Sequence, residues 1–225
     1  MGEYNLVGRL RDNYSRLYLR DYHDSPDKSR VSMARRIVGQ LKSGIPTKLV
    51  VDIGSGAQAL EKTMLSTYNQ RQFRDLFGRY NFLTLDLANI KRARLLAQKR
   101  YPDLVMHVVA DGSILPVVDK AAGLVFSNMA IDFMPEEAFS EAYRILVPEG
   151  TAFFNFHHPD MISEASIATK KEGVRKYWKY LESNQVLFSN QAQIIERLEK
   201  IGYKNIQVSL NTDGVDKWWE VSCKK

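Results

Sequence analysis

The segment Val50-Val-Asp-Ile-Gly-Ser-Gly-Ala-Gln58 carries the strongest structural signal in the chain. An apolar, β-branched run from Lys48 to Ile53 predicts a buried strand, and a Gly-x-Gly turn leads from it into a helical pattern. Glycines let the backbone approach a ligand closely, and the N-terminus of a helix offers free N–H groups. Asp52 places a carboxylate at the carboxyl end of the strand, where open α/β sheets bind ligands. A carboxylate at this position favours a cationic ligand group and repels phosphate.

Strand and helix patterns alternate on both sides of this segment. The predicted strands are residues 48–53, 81–87, 104–110, 122–127, 151–156, 205–210 and 218–223, and the predicted helices are residues 32–41, 57–68, 88–101, 136–146 and 190–200. Strands separated by helices at this spacing indicate right-handed βαβ units around a parallel sheet. The turn signal Asn211-Thr-Asp-Gly214 precedes the last strand, which is therefore expected to pair antiparallel. The predicted fold class is α/β, a doubly wound, mostly parallel seven-stranded sheet with an antiparallel last strand.

The length of 225 residues favours one domain with an elaboration. We expect an N-terminal helical cover at residues 1–47 and a ligand-binding domain at residues 48–225. A polar, basic and aromatic insertion at about residues 157–190 interrupts the alternation. We expect it to lie over the carboxyl edge of the sheet as a lid.

Composition excludes several classes of protein. The single cysteine, Cys223, cannot form an internal bridge, which excludes a disulfide scaffold and a cysteine-based zinc site. No metal site is predicted. The absence of a long apolar run and of a signal-peptide pattern predicts a cytoplasmic protein that does not enter a membrane. The net charge of +6 favours anionic partners only mildly.

Two further acids stand at the ends of predicted strands. Asp86 ends the second strand, where a carboxylate can accept two hydrogen bonds from a ribose diol. Asp111 ends the third strand and precedes Gly112-Ser113, where it can accept a hydrogen bond from an exocyclic amine such as that of adenine. One carboxylate at a strand end is common by chance, whereas three at three successive strand ends are much less so. The recurrence favours a shared role in ligand binding.

The chain resembles the class I, Rossmann-like S-adenosylmethionine-dependent methyltransferases, especially the methyltransferase type 11 group that acts on small molecules. The resemblance covers roughly residues 48–156. The motifs that carry it, in the order and spacing of the family, are Val51-Asp-Ile-Gly-Ser-Gly56, Leu85-Asp-Leu-Ala88, Ala110-Asp-Gly-Ser-Ile-Leu-Pro116, Leu124-Val-Phe-Ser-Asn-Met129 and Ala142-Tyr-Arg-Ile-Leu-Val-Pro-Glu-Gly150.

The resemblance implies a site for S-adenosylmethionine, with S-adenosylhomocysteine as product. Asp52 and the backbone around Gly54 would hold the methionine moiety, Asp86 the ribose and Asp111 the adenine edge. The cofactor-binding residues implied are Asp52, Gly54, Ser55, Gly56, Gln58, Asp86, Leu87, Asp111, Gly112, Ser113, Asn128 and Met129. Gln58 stands where the family has its third glycine, so it narrows the space beside the methionine carboxylate or adds an amide that could bond it.

The acceptor is expected to be a small molecule. His157 and His158 directly follow the fifth strand, and one of them is the candidate general base. The residues expected to line the substrate pocket are Tyr18, Tyr22, His157, Tyr177 and Trp178. Aromatic residues and lysines in the insertion suggest an aromatic or apolar acceptor with an anionic feature, such as a carboxylate, a phosphate or a carrier-bound thioester. Transfer to oxygen is favoured slightly, and a monomer or homodimer is expected.

Three alternatives remain open at this stage. Basic residues within 91–100 and 170–179, the latter interleaved with aromatics, could bind RNA or another nucleic acid. Against this alternative, the sequence lacks the Pro-Pro-aromatic motif of adenine N6 methyltransferases after the fourth strand. Cytosine C5 methyltransferases need an active-site cysteine, and Cys223 lies in the last predicted strand. The spacing Gly54-x-Gly56-x-x-Ala59 also fits an NAD-dependent oxidoreductase. Finally, Gln58 is consistent with a non-catalytic module that binds S-adenosylmethionine.

Overall fold

The computed structural model describes residues 28–56, 58–67, 70–86, 104–162, 187–214 and 216–225. The helices are α1 (Lys28–Ser43), α2 (Ala59–Thr67), α3 (Gln70–Phe77), α4 (Glu137–Ile145) and α5 (Gln191–Ile201). The strands are β1 (Leu49–Ile53), β2 (Asn81–Asp86), β3 (Val105–Val109), β4 (Ala122–Asn128), β5 (Leu146–His157), β6 (Lys204–Asp213) and β7 (Asp216–Lys224). Short 3-10 turns occupy Ile131–Phe133 and Pro159–Ile162.

The seven strands form one sheet in the order β3-β2-β1-β4-β5-β7-β6. Neighbouring strands from β3 to β5 pair in parallel, whereas β7 runs antiparallel to both β5 and β6. The predicted fold, a mostly parallel seven-stranded sheet with an antiparallel last strand, is therefore confirmed. The chain order reverses between β1 and β4, and the crevice at such a switch point is where ligands bind in open α/β sheets.

Apolar residues cover both faces of the sheet because the central strands are buried on each side. On one face, Ile37 and Leu41 of α1 pack with Val50 of β1 and Phe126 of β4. On the other face, Val51 of β1 belongs to a core that includes residues of α4 and α5. Successive strand residues point to opposite faces, so Val50 and Val51 serve different layers. Helix α1, within the predicted N-terminal cover, thus shares its core with the sheet.

Several element boundaries differ from the sequence expectations, and two of the differences change how strands of the sheet pair. Strand β5 begins at Leu146 rather than at residue 151, because a register shift against β4 takes up the Pro148-Glu149-Gly150 turn. The hairpin between β6 and β7 turns after Asp213 rather than at residues 211–214. Pairing of Asn211 with Trp218 and of Thr212 with Lys217 extends the ladder beyond the predicted turn.

The predicted helix at residues 88–101, the first 27 residues of the N-terminal cover and residues 163–186 of the insertion lie outside the described residues. The domain division remains a prediction. In the described ranges, no helix is long and apolar enough to span a membrane.

Candidate active site

The glycine turn after β1 is tied to the end of β2 by three backbone donors. The N–H groups of Gly54 and Ser55 donate to Leu85 O at 2.8 and 3.1 Å. The Gly56 N–H donates to Asp86 Oδ2 at 2.8 Å. The two strand ends at which the sequence places ligand-binding acids are therefore held together, and Asp86 supports the glycine turn directly.

The loop after β4 packs onto the same turn. Gly54 has a φ of +77°, and a Cβ added there would lie 2.4 Å from Ala130 Cβ. Glycine is thus required at this position by the neighbouring loop as well as by the backbone conformation. Buried Ser127 secures that loop, because its Oγ donates to Ile53 O at 2.7 Å and accepts from Ile131 N at 3.0 Å.

Polar side chains without partners are concentrated at this junction. Asp52 and Ser55 are buried, and among the described residues neither Asp52 Oδ2 nor Ser55 Oγ has a hydrogen-bond partner. Buried polar groups are almost always bonded, so such atoms point to a bound molecule that satisfies them. The predicted role of Asp52 in ligand binding is consistent with this geometry.

A further acid, Glu61 of α2, lies beside Asp52 in the interior. Glu61 is 1% exposed, and in the described part of the chain neither of its carboxyl oxygens has a partner at hydrogen-bond geometry. Burial raises the pKa of Glu61 to about 7. Burial and the neighbouring carboxyl groups of Glu61 and Asp86 raise the pKa of Asp52 well above its ordinary value. Sequence reasoning did not find Glu61, because an acid in the first turn of a helix is a common helix-terminal feature.

Gln58 adopts a left-handed backbone conformation with a φ of 59°. Such a conformation is uncommon for a residue with a side chain and is natural for the glycine that the family carries there. Its buried Nε2 donates to Thr84 Oγ1 at 3.1 Å. This amide nitrogen is therefore engaged with β2.

Asp111, Gly112 and Ser113 form a tight turn beyond β3. Asp111 Oδ1 accepts from Ser113 N at 2.9 Å and from Ser113 Oγ at 2.7 Å. A Cβ on Gly112 would lie 2.3 Å from Met134 Sδ, so the loop after β4 reaches this turn as well.

Asn128 and Met129 lie where β4 ends, at the crevice beside the glycine turn. Asn155 Nδ2 donates to Asn128 Oδ1 at 2.8 Å, and Arg36 Nη1 donates to Asn155 Oδ1 at 3.2 Å. The Met129 N–H donates to Asn155 O at 2.9 Å. Buried Asn155 thus links α1 to the carboxyl ends of β4 and β5.

The two candidate histidines have different environments. His157 is 1% exposed, and its backbone N and ring Nδ1 lie 2.7 and 2.8 Å from Asp132 Oδ2. Asp132 Oδ1 is buried without a partner. His158 Nδ1 instead accepts from the backbone N of Asp160 at 3.2 Å, and burial lowers the pKa of His158. Sequence reasoning did not find Asp132, because only the fold brings it beside His157.

Several predicted site residues lie outside the described residues, namely Tyr18, Tyr22, Leu87, Tyr177 and Trp178, together with both basic segments. Among the residues that the structure describes, no group of histidine, cysteine, aspartate or glutamate side chains is arranged to hold a metal ion.

Comparison with known proteins identifies the class. Residues 51–154 match a family model described as a methyltransferase domain. Over these residues, the resemblance to the class I S-adenosylmethionine-dependent methyltransferases that the motifs indicated is confirmed. These matches support S-adenosylmethionine, rather than NAD, as the cofactor.

Curated relatives share part of the chain. A malonyl-[acyl-carrier protein] O-methyltransferase of Methylovorus sp. (strain MP688) is 32% identical over 126 residues, which cover 55% of this chain and 41% of the relative. The corresponding enzyme of Methylococcus capsulatus (strain ATCC 33009 / NCIMB 11132 / Bath) is 25% identical over 190 residues, which cover 81% and 63%. The chain thus spans between about two fifths and two thirds of the length of these relatives.

A solved structure supports the fold. Phosphoethanolamine N-methyltransferase 2 of Haemonchus contortus, in complex with S-adenosyl-L-methionine, superposes with a TM-score of 0.63 at 17% identity. The likeness covers 96% of this chain and 60% of that protein.

Proposed function

We propose that this protein transfers a methyl group from S-adenosylmethionine to an oxygen atom of a small anionic acceptor. The observation that carries the proposal is the set of unpartnered buried groups on the glycine turn, chiefly Asp52 Oδ2 and Ser55 Oγ. These groups lie at the switch point of a methyltransferase fold, beside a carboxylate suited to a ribose. They fit a ligand that carries an ammonium, a carboxylate and a sugar diol.

Each predicted cofactor residue has a part in this proposal. Asp52 would accept from the methionine ammonium, and Ser55 would donate to the methionine carboxylate. Asp86 accepts from the Gly56 N–H through Oδ2 and would also accept from the ribose hydroxyls. Asp111 and Ser113 would lie beside the adenine edge. Asn128 and Met129 would line the methyl-donor end.

The cofactor would supply a methyl group bound to a sulfonium sulfur. The acceptor oxygen would bond to the methyl carbon in line with the bond from carbon to sulfur, and the sulfur would leave as the thioether of S-adenosylhomocysteine. The chain then has to align the acceptor and exclude water. Asp132 holds the His157 ring through Nδ1, the arrangement in which a carboxylate orients a general base. An acceptor with a hydroxyl group would need such a base, whereas an ionised carboxylate would not.

The choice of acceptor rests on the relatives. Two curated relatives are named for methyl transfer to oxygen on a malonyl group carried by a protein. A carboxylate on a carrier-bound thioester also fits the anionic acceptor that the sequence predicts. Malonyl-carrier protein is therefore the first acceptor to test.

The proposal is tested with S-adenosylmethionine labelled in its methyl group. Label is expected in a base-labile ester when malonyl-carrier protein, or a small dicarboxylic monothioester, is added. An Asp52→Asn variant, which keeps the shape but loses the charge, is expected to lose S-adenosylhomocysteine affinity, with Asp213→Asn on the exposed hairpin as the matched control. Label that enters only RNA, or that forms only base-stable N-methyl products, would contradict the acceptor class.

A further inference from the structure

We propose that Glu61 and Asp52 form a paired-carboxylate subsite for the α-ammonium group of the cofactor, so that Glu61 is a cofactor-binding residue. The inference rests on the proposed function and extends it to a residue on α2. It assigns the recognition of this cation to two side chains rather than to Asp52 alone.

In the part of the chain that the structure describes, the two carboxyl groups lie together with no cation at hydrogen-bond distance. Asp52 and Glu61 are 2% and 1% exposed, and each lies close enough to the other for a hydrogen bond between the side chains. Among the described residues, Asp52 Oδ2 and both oxygens of Glu61 have no partner that meets hydrogen-bond geometry. A hydrogen bond between the two acids therefore requires a proton on one of them.

The usual role of an acid in the first helical turn does not account for Glu61. In a capping box, such an acid accepts from the backbone N–H of the residue that precedes the helix. Here that residue is Gln58, and its N–H donates to Ser55 O at 2.9 Å. Glu61 is thus directed into the interior rather than toward the helix terminus.

Burying two acids without a cation is costly for the folded protein. Moving an ionised carboxylate out of water costs several kcal/mol unless an opposite charge and hydrogen bonds compensate it. Helix α1 packs against α2 and carries the buried cation Arg30, which is not among the groups that shift the pKa of either acid. The acids that face each other are Asp52 of β1, Glu61 of α2 and Asp86 of β2.

An amino-acid ammonium would resolve this arrangement. It brings one positive charge and three N–H donors, enough to bond Asp52 Oδ2 and one or both Glu61 oxygens. Ser55 Oγ, also without a partner, would then meet the adjoining carboxylate of the same group. The subsite selects a zwitterionic amino-acid moiety over a nucleoside that lacks one.

The test compares two ligands and two variants by calorimetric titration. S-adenosylhomocysteine carries the amino-acid group, and 5′-methylthioadenosine lacks it. Glu61→Gln is expected to weaken S-adenosylhomocysteine binding by about tenfold or more, because it removes a charge-assisted hydrogen bond. It is expected to leave 5′-methylthioadenosine binding within about twofold, since that ligand gains nothing from the lost charge. Glu199→Gln, the same change on the exposed face of α5, is the matched control and is expected to alter neither affinity.

A second readout separates binding from folding. Because Glu61→Gln removes an uncompensated buried acid, we expect it to raise the melting temperature of the ligand-free protein while it lowers the further increase caused by S-adenosylhomocysteine. Equal losses for both ligands, or unchanged S-adenosylhomocysteine affinity in Glu61→Gln, would overturn the inference and leave the proposed function standing. Failure of the unaltered protein to bind S-adenosylhomocysteine would overturn both.

Proton release gives a third readout. Calorimetry in two buffers with different ionisation enthalpies is expected to show a proton leaving the unaltered protein on binding, since the ammonium favours both carboxylates ionised. Affinity is accordingly expected to rise by about tenfold from about pH 6 to about pH 8, with a smaller rise in Glu61→Gln. A pH dependence that Glu61→Gln leaves unchanged would contradict the subsite.

Discussion

The chemistry of this protein depends on a few buried polar residues with unusual environments. Asp52 and Glu61 bring two acids together, with no cation at hydrogen-bond distance in the described ranges, and Asp132 holds His157 in one orientation. Each arrangement costs stability unless a ligand or a reaction uses it. For single-residue variants, a role in function can therefore be separated from a role in folding by measuring both activity and the free energy of unfolding.

Replacement of His157 is expected to affect turnover more than cofactor binding. His157→Ala removes the proposed base, and we expect kcat to fall by about 10²–10⁴-fold for a hydroxyl acceptor. S-adenosylhomocysteine affinity should change little, because His157 belongs to β5 and not to the glycine turn.

His158→Ala is the matched comparison, since His158 caps the turn that follows β5. It should cost much less turnover than His157→Ala. A carboxylate acceptor would give a smaller effect of His157→Ala and a flat pH profile. Equal losses of folding stability and activity in His157→Ala would indicate that the Asp132–His157 pair is structural.

The ligand-free protein is expected to lose stability as the pH rises toward neutrality. The folded protein raises the pKa of Glu61 to about 7, from 4.5, so between these values it binds more protons than the unfolded chain does. Stability from this group is therefore present at low pH and is lost as the pH rises through 7.

Between about pH 6 and about pH 8 this loss is about 1 kcal/mol in the free energy of unfolding. Urea unfolding at both pH values measures it. The same titration in Glu61→Gln should show a loss smaller by about that amount. Identical pH dependence in the two proteins would assign the raised pKa to another group.

The ends of the secondary-structure elements position the buried polar residues of the site. Strand β1 contributes Asp52 at its carboxyl end, and the loop after β4 covers Gly54 from the other side of the switch point. The buried hydroxyl of Ser127 joins the two, which explains why a serine lies among the buried residues of β4. Helix α2 contributes Glu61 from its first turn.

Removal of the Ser127 hydroxyl is expected to loosen this junction. Ser127→Ala leaves Ile53 O and Ile131 N without their buried partner, at a cost of about 1–3 kcal/mol in the free energy of unfolding. Ser222→Ala, on β7, removes a hydroxyl from a more exposed hydrogen bond and should change stability by less than about 0.5 kcal/mol. Denaturant unfolding of both variants measures the two losses of stability. Equal losses would contradict the proposed role of the Ser127 hydroxyl in joining β1 to the loop after β4.

One glycine within α1 and one at the C-terminus of α5 are expected to change the free energy of unfolding in opposite directions when each is replaced by alanine. Gly39 lies on the exposed side of α1 with nothing within 4 Å of an added Cβ, so Gly39→Ala should stabilise by about 0.5–1 kcal/mol. Gly202 ends α5 with a φ of +113°, and an added Cβ would lie 2.9 Å from the Tyr143 hydroxyl. Gly202→Ala should therefore destabilise by about 1–2 kcal/mol.

Thermal unfolding of both variants, with the unaltered protein as reference, checks these signs. A stabilising effect of Gly202→Ala would mean that the C-terminus of α5 adopts another conformation.

At the scale of the whole molecule, the sheet order brings every proposed functional residue of the described ranges to one edge. Strands β1, β2, β4 and β5 are parallel, so their carboxyl ends meet there. The order reversal between β1 and β4 opens a crevice at that edge. A ligand bound across it contacts several elements and should stabilise the fold as a unit.

S-adenosylhomocysteine is expected to raise the melting temperature of the unaltered protein, whereas NAD should not. At a free ligand concentration about 100 times the dissociation constant, the gain is about 2.7 kcal/mol. Thermal unfolding with each ligand measures it. Stabilisation by NAD, or by neither ligand, would contradict the proposed cofactor site.

Much of this architecture follows from sequence alone because the signals are local. The period-two and helical patterns predicted seven strands and their connecting helices, and the Gly-x-Gly turn after Val50–Ile53 located the ligand-binding edge. The boundaries of β5 and of the β6–β7 hairpin were misplaced, since pairing with neighbouring strands decides where a ladder stops. Local turn signals cannot report that pairing.

By itself, the sequence determined the fold class, the family and the acids at strand ends, because each of these depends on short-range spacing. Tertiary structure decided which side chains meet. Glu61 lies nine residues beyond Asp52 and Asp132 lies 25 residues before His157, and neither pairing has a signal in the intervening residues. Only packing of α2 against the sheet and of the loop after β4 against β5 buries these pairs, and burial is what gives them their charge and proton chemistry.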